Sequence, residues 1–249
     1  MKALITGASS GIGRDMAKYL AKKGYDLVIV ARRENLLEDL KSQVNTDVQI
    51  EVMDISQKEN CEVIFKKYPD IDILINNAGF GKFGEFIDID IQTEIDMINT
   101  NILAVQVLTK LYLQEMTKKD KGYILNVASI AGLLPGGPLM ATYYATKAYV
   151  VSLTRAISQE LKEKGSNVHI CTLCPGPVNT NFDDVANVKF SLKGLSSDYV
   201  AKYAIDKMLE GKNTIIPGTE IKILSKLSKL APTILELGIT YRQQKRKSK

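Results

Sequence analysis

The sequence predicts an α/β protein: one doubly wound parallel sheet with helices on both faces, a three-layer αβα arrangement in a single domain. Three observations carry that expectation. Short apolar runs and helix-spaced segments alternate without a break from Lys2 to about Gly218. Runs such as Leu27-Val28-Ile29-Val30-Ala31 are continuously apolar and rich in β-branched residues, as strands buried on both faces must be. The length, 249 residues, lies where α/β folds commonly form one unit.

Taken in order, the first apolar run, Ala3-Leu4-Ile5-Thr6, ends at Thr6 and is followed by Gly7, Gly11 and Gly13. Helical spacing then runs from Asp15 to Lys23. A strand, a glycine turn and a helix N-terminus together make a phosphate site, because the backbone can approach closely and free N–H groups and the helix dipole favour an anion. Here the turn opens a βαβ pattern, which is the context a Rossmann-type dinucleotide site requires. Gly7, Ser9, Ser10, Gly11, Ile12 and Gly13 are therefore candidate cofactor-binding residues. The second strand, Leu27 to Ala31, leads into Arg32 and Arg33, with Glu34 only after both. An NAD-type site would place a carboxylate there for the ribose 2′-hydroxyl. Two guanidiniums suit the 2′-phosphate of NADP instead, since arginine pairs with phosphate bidentately.

The next segments read as a helix from Asn35 to about Val44, a strand from Val48 to Met53 ending at Asp54, and a helix from Lys58 to Lys67. Strand Ile73-Leu74-Ile75 runs into Asn76-Asn77-Ala78-Gly79, and one long helix is expected from Gln92 to Met116. Strand Tyr123 to Val127 ends near Ser129, helix Thr142 to Lys164 follows, and Asn167 to Leu173 and Thr214 to Ile216 are the last strands. On the Thr142–Lys164 helix, Tyr143 and Lys147 are four residues apart and share a face. A phenol is a weak acid, with a pKa of about 10, so it needs a neighbour such as the Lys147 ammonium to stabilise its anion. Ser129, fourteen residues before Tyr143, would arrive from a strand end and polarise a carbonyl beside the phenol. Tyr144, three residues before Lys147, is the competing phenol.

Composition narrows the class. Apolar residues make up 45% of the chain, enough for a substantial core. No apolar run approaches the roughly 18 residues of a membrane span, and no basic-plus-apolar leader is present, so a cytoplasmic location is expected. Cys171 and Cys174 have C-x-x-C spacing but lie in the apolar run from Val168, and His169 is the single histidine. They read as core thiols, with Cys61 as the third, and no metal site is expected. Residues 221–249 hold eight lysines and arginines against Glu236 alone, whereas the whole chain is +5, so the basicity belongs to this tail. Ile221, Leu224, Leu227 and Leu230 there fall at helical spacing and stop near Pro232. A helix covering the substrate cleft or a subunit contact, followed by a solvated basic end, is the preferred reading. A membrane surface or an acidic protein partner is the weaker one, and nucleic acid is disfavoured because Tyr241 is the only aromatic among the basic residues.

These motifs together make the chain similar to short-chain dehydrogenases/reductases of the simple single-domain branch, over Lys2 to about Gly218. Thr6-Gly7-x-x-x-Gly11-x-Gly13 resembles the family's cofactor turn, and Asn76-Asn77-Ala78-Gly79 its strand-four motif. The resemblance implies that Asn77, Ala78 and Gly79 lie beside the adenine ribose and steady the sheet, with Asp54 and Ile55 near the adenine. It implies a catalytic tetrad of Asn101, Ser129, Tyr143 and Lys147, with Asn99 the less favoured asparagine. Pro175, Gly176, Val178 and Thr180 resemble the segment that holds the nicotinamide end.

The activity so implied is NADP(H)-dependent hydride transfer between the nicotinamide and a carbonyl or secondary alcohol. Tyr143 would be the acid or base, Lys147 together with the oxidised nicotinamide ring would lower its pKa, and Lys147 would also hold the nicotinamide ribose. Ser129 would bond the substrate oxygen, and Asn101 would fix a water. Leu133, Leu134, Leu139 and Met140 around Pro135-Gly136-Gly137-Pro138 would wall an apolar substrate pocket. The stretch from Asn181 to Ser197, with Phe182, Phe190 and Leu192, corresponds to the variable lid. A 3-ketoacyl reductase linked to acyl carrier protein or CoA is the alternative enzyme. A non-catalytic nucleotide-sensing regulator is the alternative of another class, although such a protein usually loses the tyrosine or lysine. A homo-oligomer, dimer or tetramer, is also implied. Residues 1–220 would form the catalytic domain and 221–249 a basic amphipathic extension, which departs from the short tail common in the family.

Overall fold

The computed structural model describes residues 1–180, Ala186, 194–227 and 232–245. In chain order it comprises β1 (Lys2–Thr6), α1 (Gly11–Lys22), β2 (Asp26–Ala31), α2 (Glu34–Ser42), β3 (Val48–Val52), α3 (Lys58–Lys67) and β4 (Ile73–Asn76). There follow α4 (Ile91–Ile98), a π-helical turn (Asn99–Leu103), α5 (Ala104–Lys119), β5 (Gly122–Val127), α6 (Ala141–Glu163) and β6 (Val168–Leu173). A short pair, β7 (Val178–Asn179) and β8 (Leu195–Ser196), precedes the helix Ser197–Leu209 and the last strand β9 (Thr214–Ile215). Helices Thr219–Leu227 and Thr233–Lys245 complete the described chain.

The main sheet has seven strands in the order β3-β2-β1-β4-β5-β6-β9, all paired in parallel. Successive residues of each strand enter opposite layers. Ile5, Ile29, Ile75, Leu125 and Leu173 pack with Met16 and Leu20 of α1 and Ile205 of the Ser197–Leu209 helix. Leu4, Val28, Leu74, Ile124 and Ile170 pack with Ile64 of α3 and Leu108 and Tyr112 of α5. A strand buried on both faces accounts for the continuously apolar runs. The strand order reverses direction between β1 and β4, which opens a crevice at their carboxyl ends. Cys171 and Cys174 are buried free thiols in and just after β6, and burial pushes the Cys174 thiol up to about 11. Among the described residues no helix is long and apolar enough to cross a membrane.

Three local features differ from expectation. The long helix expected from Gln92 to Met116 is interrupted by the π turn at Asn99–Leu103. The β7–β8 pair was not foreseen. At the C-terminus one helix is described over Thr219–Leu227, and a second occupies most of what was expected to be a solvated basic end. Pro232 begins the second helix, where its carbonyl accepts the N–H groups of Leu235 at 3.0 Å and Glu236 at 3.2 Å. Asn181, Phe182, Phe190, Leu192, Lys229, Leu230 and residues 246–249 lie outside the described residues, as do the side chains of Leu224 and Leu227.

Candidate active site

The glycine turn joins β1 to α1 at the mouth of the crevice. Gly7 (φ +67°) and Gly11 (φ +57°) are left-handed, a conformation that favours glycine. A methyl group on Gly13 would stand 2.3 Å from Asn77 Nδ2 and 2.6 Å from the Gly7 carbonyl. Only glycine therefore lets the first turn of α1 sit on the loop before it. Ser10, the N-cap, makes no side-chain cap bond, and no acidic residue stands in the first turn. That start of a helix suits an external anion. Thr180 closes over the turn: a methyl on Gly11 would lie 3.1 Å from its Cγ2.

The two arginines take different partners. Arg33 Nη2 donates to Ser9 Oγ at 2.9 Å and to Ser10 Oγ at 2.8 Å, so its guanidinium is held over the turn. Arg32 Nη1 lies 3.6 Å from Asp54 Oδ2 and is three-quarters exposed. Burial raises the Asp54 carboxyl, but bonds from Ser56 and the Arg32 charge outweigh it and the net shift is downward. Ile55, the neighbour, is buried in the second core layer. On the other side of β1, Asn77 Nδ2 donates to the carbonyls of Thr6 at 3.0 Å and Gly7 at 3.2 Å. The Thr6 hydroxyl accepts the N–H groups of Asn77 at 3.0 Å and Ala78 at 3.1 Å. Asn77 and Thr6 thus clamp the two loops together at the strand-order reversal.

Tyr143, Ser129, Lys147 and Asn101 converge beyond that clamp. Ser129 caps the short 3₁₀ helix Ile130–Leu133, accepting the Ala131 N–H at 3.1 Å, and its hydroxyl is hydrogen-bonded to the Tyr143 phenol. Lys147 Nζ lies 5.9 Å from the Tyr143 ring centre and donates to the Val127 carbonyl at 3.0 Å. Gly79 permits the convergence, because a methyl there would stand 2.8 Å from Asn101 Oδ1 and 3.2 Å from Lys147 Nζ. Asn101 sits in the π turn and is fully buried. Its Nδ2 donates to the Phe80 carbonyl at 2.9 Å and to Thr146 Oγ1 at 3.0 Å, and its Oδ1 accepts the Phe80 N–H at 3.1 Å. Thr146 Oγ1 in turn donates to the Tyr143 carbonyl at 2.8 Å. The amide is therefore a strut between the loop after β4 and the turn of α6 that carries Tyr143. Thr146 and Phe80 were not singled out from the sequence; the same-face spacing of Thr146 from Tyr143 was the available signal.

Burial dominates the electrostatics. It pushes the Tyr143 phenol up to about 12, with the Ser129 bond pulling the other way. It brings the Lys147 ammonium down to about 8. The lowering expected from Lys147 concerns its action together with the oxidised nicotinamide ring; in the protein alone, burial is the largest cause and the phenol shift is upward. Tyr144 is turned elsewhere. Its hydroxyl accepts Gln244 Nε2 at 3.1 Å, and a methyl on Gly137 would fall within its ring.

Apolar groups surround the phenol. Met97, Ala131, Met140 and Ala186 form one buried cluster with Tyr143, and Phe80, Phe83 and Tyr144 pack against it. Of the expected pocket leucines, Leu134 lines a cavity of about 230 Å³ with Pro135, Pro138, Tyr144 and Leu237 of the last helix. Leu133 instead packs with Val150 and Val151. The segment after β6 is anchored where the Pro175 carbonyl accepts the Ile130 N–H at 2.8 Å. Gly176 lies under Ile221, which would touch a methyl there at 3.0 Å. Val178 is buried in the first core layer.

A family model described as short chain dehydrogenase matches residues 1–189. A 3-oxoacyl-acyl-carrier-protein reductase of Rickettsia prowazekii is 33% identical over 187 residues, which cover 75% of this chain and 76% of that protein. The structure of a short-chain dehydrogenase from Sphingobium yanoikuyae in complex with NADPH superposes with a TM-score of 0.82 at 27% identity, covering 94% of both chains. A short-chain dehydrogenase/reductase from Burkholderia phymatum in complex with NAD gives 0.80 at 25% identity, over 91% of this chain and 92% of that one.

Proposed function

This chain belongs to the short-chain dehydrogenase family, and we propose that it is an NADP(H)-dependent oxidoreductase interconverting a carbonyl compound and a secondary alcohol. One observation carries the reading: the buried Tyr143 phenol, bonded to Ser129 and close to the Lys147 ammonium, at the crevice where the glycine turn opens. A bound nicotinamide dinucleotide would supply or accept the hydride. Tyr143 gives its proton to the substrate oxygen in reduction and takes it back in oxidation. Ser129 donates to the same oxygen as negative charge builds on it. Lys147 places a positive charge beside the phenolate and holds the nicotinamide ribose, and Asn101 keeps the Tyr143 turn in register and fixes a water.

The remaining assignments belong to the same proposal. Gly7, Ser9, Ser10, Gly11, Ile12 and Gly13 receive the phosphates, and Asp54, Ile55, Asn77, Ala78 and Gly79 face the adenosine. Pro175, Gly176, Val178 and Thr180 hold the nicotinamide end. NADP(H) is preferred because Arg33, held by the two serines of the turn, offers a cation and hydroxyls to a 2′-phosphate. The apolar surroundings of Tyr143 support an apolar substrate. Residues 1–220 are the catalytic domain and 221–249 an extension. A homo-oligomer is supported by Ile91, Ile95 and Ile98, an exposed stripe at helical spacing on α4.

A second reading, reduction of a 3-oxoacyl thioester, is supported by the Rickettsia relative. A panel of carbonyl compounds including a 3-oxoacyl-CoA, assayed with NADPH and NADH by loss of reduced-cofactor absorbance, separates the two. Tyr143→Phe is expected to abolish turnover while NADPH still binds. Undiminished activity in that variant would sink the assignment.

A further inference from the structure

The Thr233–Lys245 helix turns Leu237, Thr240 and Gln244 inward. Leu237 reaches Gly136 of the loop before α6, Gln244 donates to Tyr144 Oη at 3.1 Å, and Thr240 and Gln244 are 8% and 2% exposed. Those positions, i, i+3 and i+7, fix which face meets the body of the protein. The opposite face carries Leu235 and Ile239, which are 61% and 56% exposed, and Ile234, three residues before Leu237 and 84% exposed, stands on the flank at the start of the helix. Along the same face, towards the C-terminus, stand the exposed Arg242 and Lys245, and the sequence continues Arg246-Lys247-Ser248-Lys249. Three large aliphatic side chains in water next to a cationic end are not explained by folding, since the helix is held by its other side.

We propose that this outward face docks the protein on an anionic lipid surface. The aliphatic residues would enter the headgroup boundary, and the basic end would pair with acidic headgroups. Charge decides among the occupants. Residues 221–249 hold eight basic residues and one acidic one, so a second copy of this face would cover the aliphatic side chains but offer the basic end almost no opposite charge. A purely electrostatic partner, such as an acidic protein, would leave the aliphatic half uncovered. A bilayer with acidic headgroups satisfies both halves. Docking also sets the cavity roofed by Leu237, beside Tyr144, next to the lipid surface.

The test uses the full chain with vesicles of phosphatidylcholine alone and of phosphatidylcholine with phosphatidylglycerol. The expected result is co-sedimentation with the acidic vesicles only, weakening as salt is added. Arg242→Gln with Lys245→Gln should weaken it about 25-fold, at about fivefold per basic side chain. Ile234→Ser, Leu235→Ser and Ile239→Ser together should weaken it at least as much; all three residues are exposed, and an unchanged melting temperature verifies the fold. The chain contains no tryptophan, so Ile239→Trp gives a single reporter whose emission should shift to the blue on acidic vesicles. Equal binding to neutral vesicles, an unmoved tryptophan emission, or full binding by the triple serine variant would overturn the proposal. So would a triple variant that alters only the oligomeric state, or binding to acyl carrier protein without binding to vesicles.

Discussion

Replacing Lys147 by methionine should stabilise the protein relative to the parent more at pH 7 than at pH 9.5. Lys147 is 5% exposed, and burial lowers its ammonium from 10.5 to about 8. The folded state therefore disfavours the charged form. The cost is fully present below the folded value, and is relieved as pH rises from about 8 towards the unfolded value near 10.5. Linkage puts that cost at about 3 kcal/mol at pH 7 and about 1 kcal/mol at pH 9.5, a difference of about 2 kcal/mol. Methionine removes it but strands the Val127 carbonyl, which now accepts from Lys147 Nζ at 3.0 Å. That penalty, about 1–3 kcal/mol, is the same at both pH values and cancels in the comparison. Thermal scans by circular dichroism should show the variant-minus-parent midpoint larger at pH 7 by about 4–8 °C, at about 2–4 °C per kcal/mol for this chain length. A midpoint difference that does not change with pH, or grows at pH 9.5, would refute the reasoning.

Arg33→Ala should weaken NADPH binding about 10- to 100-fold, the value of a charged hydrogen bond of about 1.5–3 kcal/mol, and leave NADH unchanged; fluorescence titration measures both. Arg32→Ala should cost less than about fivefold, because its exposed pairing with Asp54 is worth about 0–1 kcal/mol. Gly13→Ala forces a methyl into Asn77 and the Gly7 carbonyl, so the urea midpoint should fall by the equivalent of about 1–3 kcal/mol and NADPH binding should weaken with it. Tyr144→Phe gives up one hydrogen bond to Gln244, about 1 kcal/mol, and should keep turnover; a dead Tyr144→Phe beside an active Tyr143→Phe would exchange the two roles.

What was legible in the sequence was what period and residue type alone determine. Leu27 to Ala31 could only be a strand covered on both faces, and the spacing of Tyr143 and Lys147 puts them on one side of α6. Less could be read where the outcome depends on a third group. Arg32 and Arg33 are equivalent as letters, and only the fold brings Ser9 and Ser10 under one of them and Asp54 beside the other. The π turn has no period of its own in the sequence; it is set where Asn101 must reach both Phe80 and Thr146. The last helix misled for a different reason. Its aliphatic residues Ile234, Leu235 and Ile239 face out and Thr240 and Gln244 face in, so a reading that assigns apolar positions to the interior finds no helix there.

The candidate site is held in a state that the fold itself disfavours. Desolvation makes Tyr143 hard to ionise and Lys147 easy to neutralise, so the two groups drift apart in acidity: the phenol to about 12, the ammonium to about 8. Neither shift relieves the other, because the ammonium is hydrogen-bonded to Val127 and 5.9 Å from the phenol ring centre. At neutral pH the pair consequently rests as a protonated phenol beside a cation. That is the state from which proton donation to a developing alkoxide begins, and the cation becomes more valuable as the phenolate appears, since an ion pair gains most where water is excluded. Such an arrangement persists only if rigid neighbours hold it. The Asn101–Thr146 strut, and the close approach that Gly79 and Gly132 allow to Lys147, supply that rigidity from elements outside the helix that carries both groups. Relaxing the strut would let the lysine reach water, raise its pKa, and remove from the phenol the charge that makes its ionisation attainable.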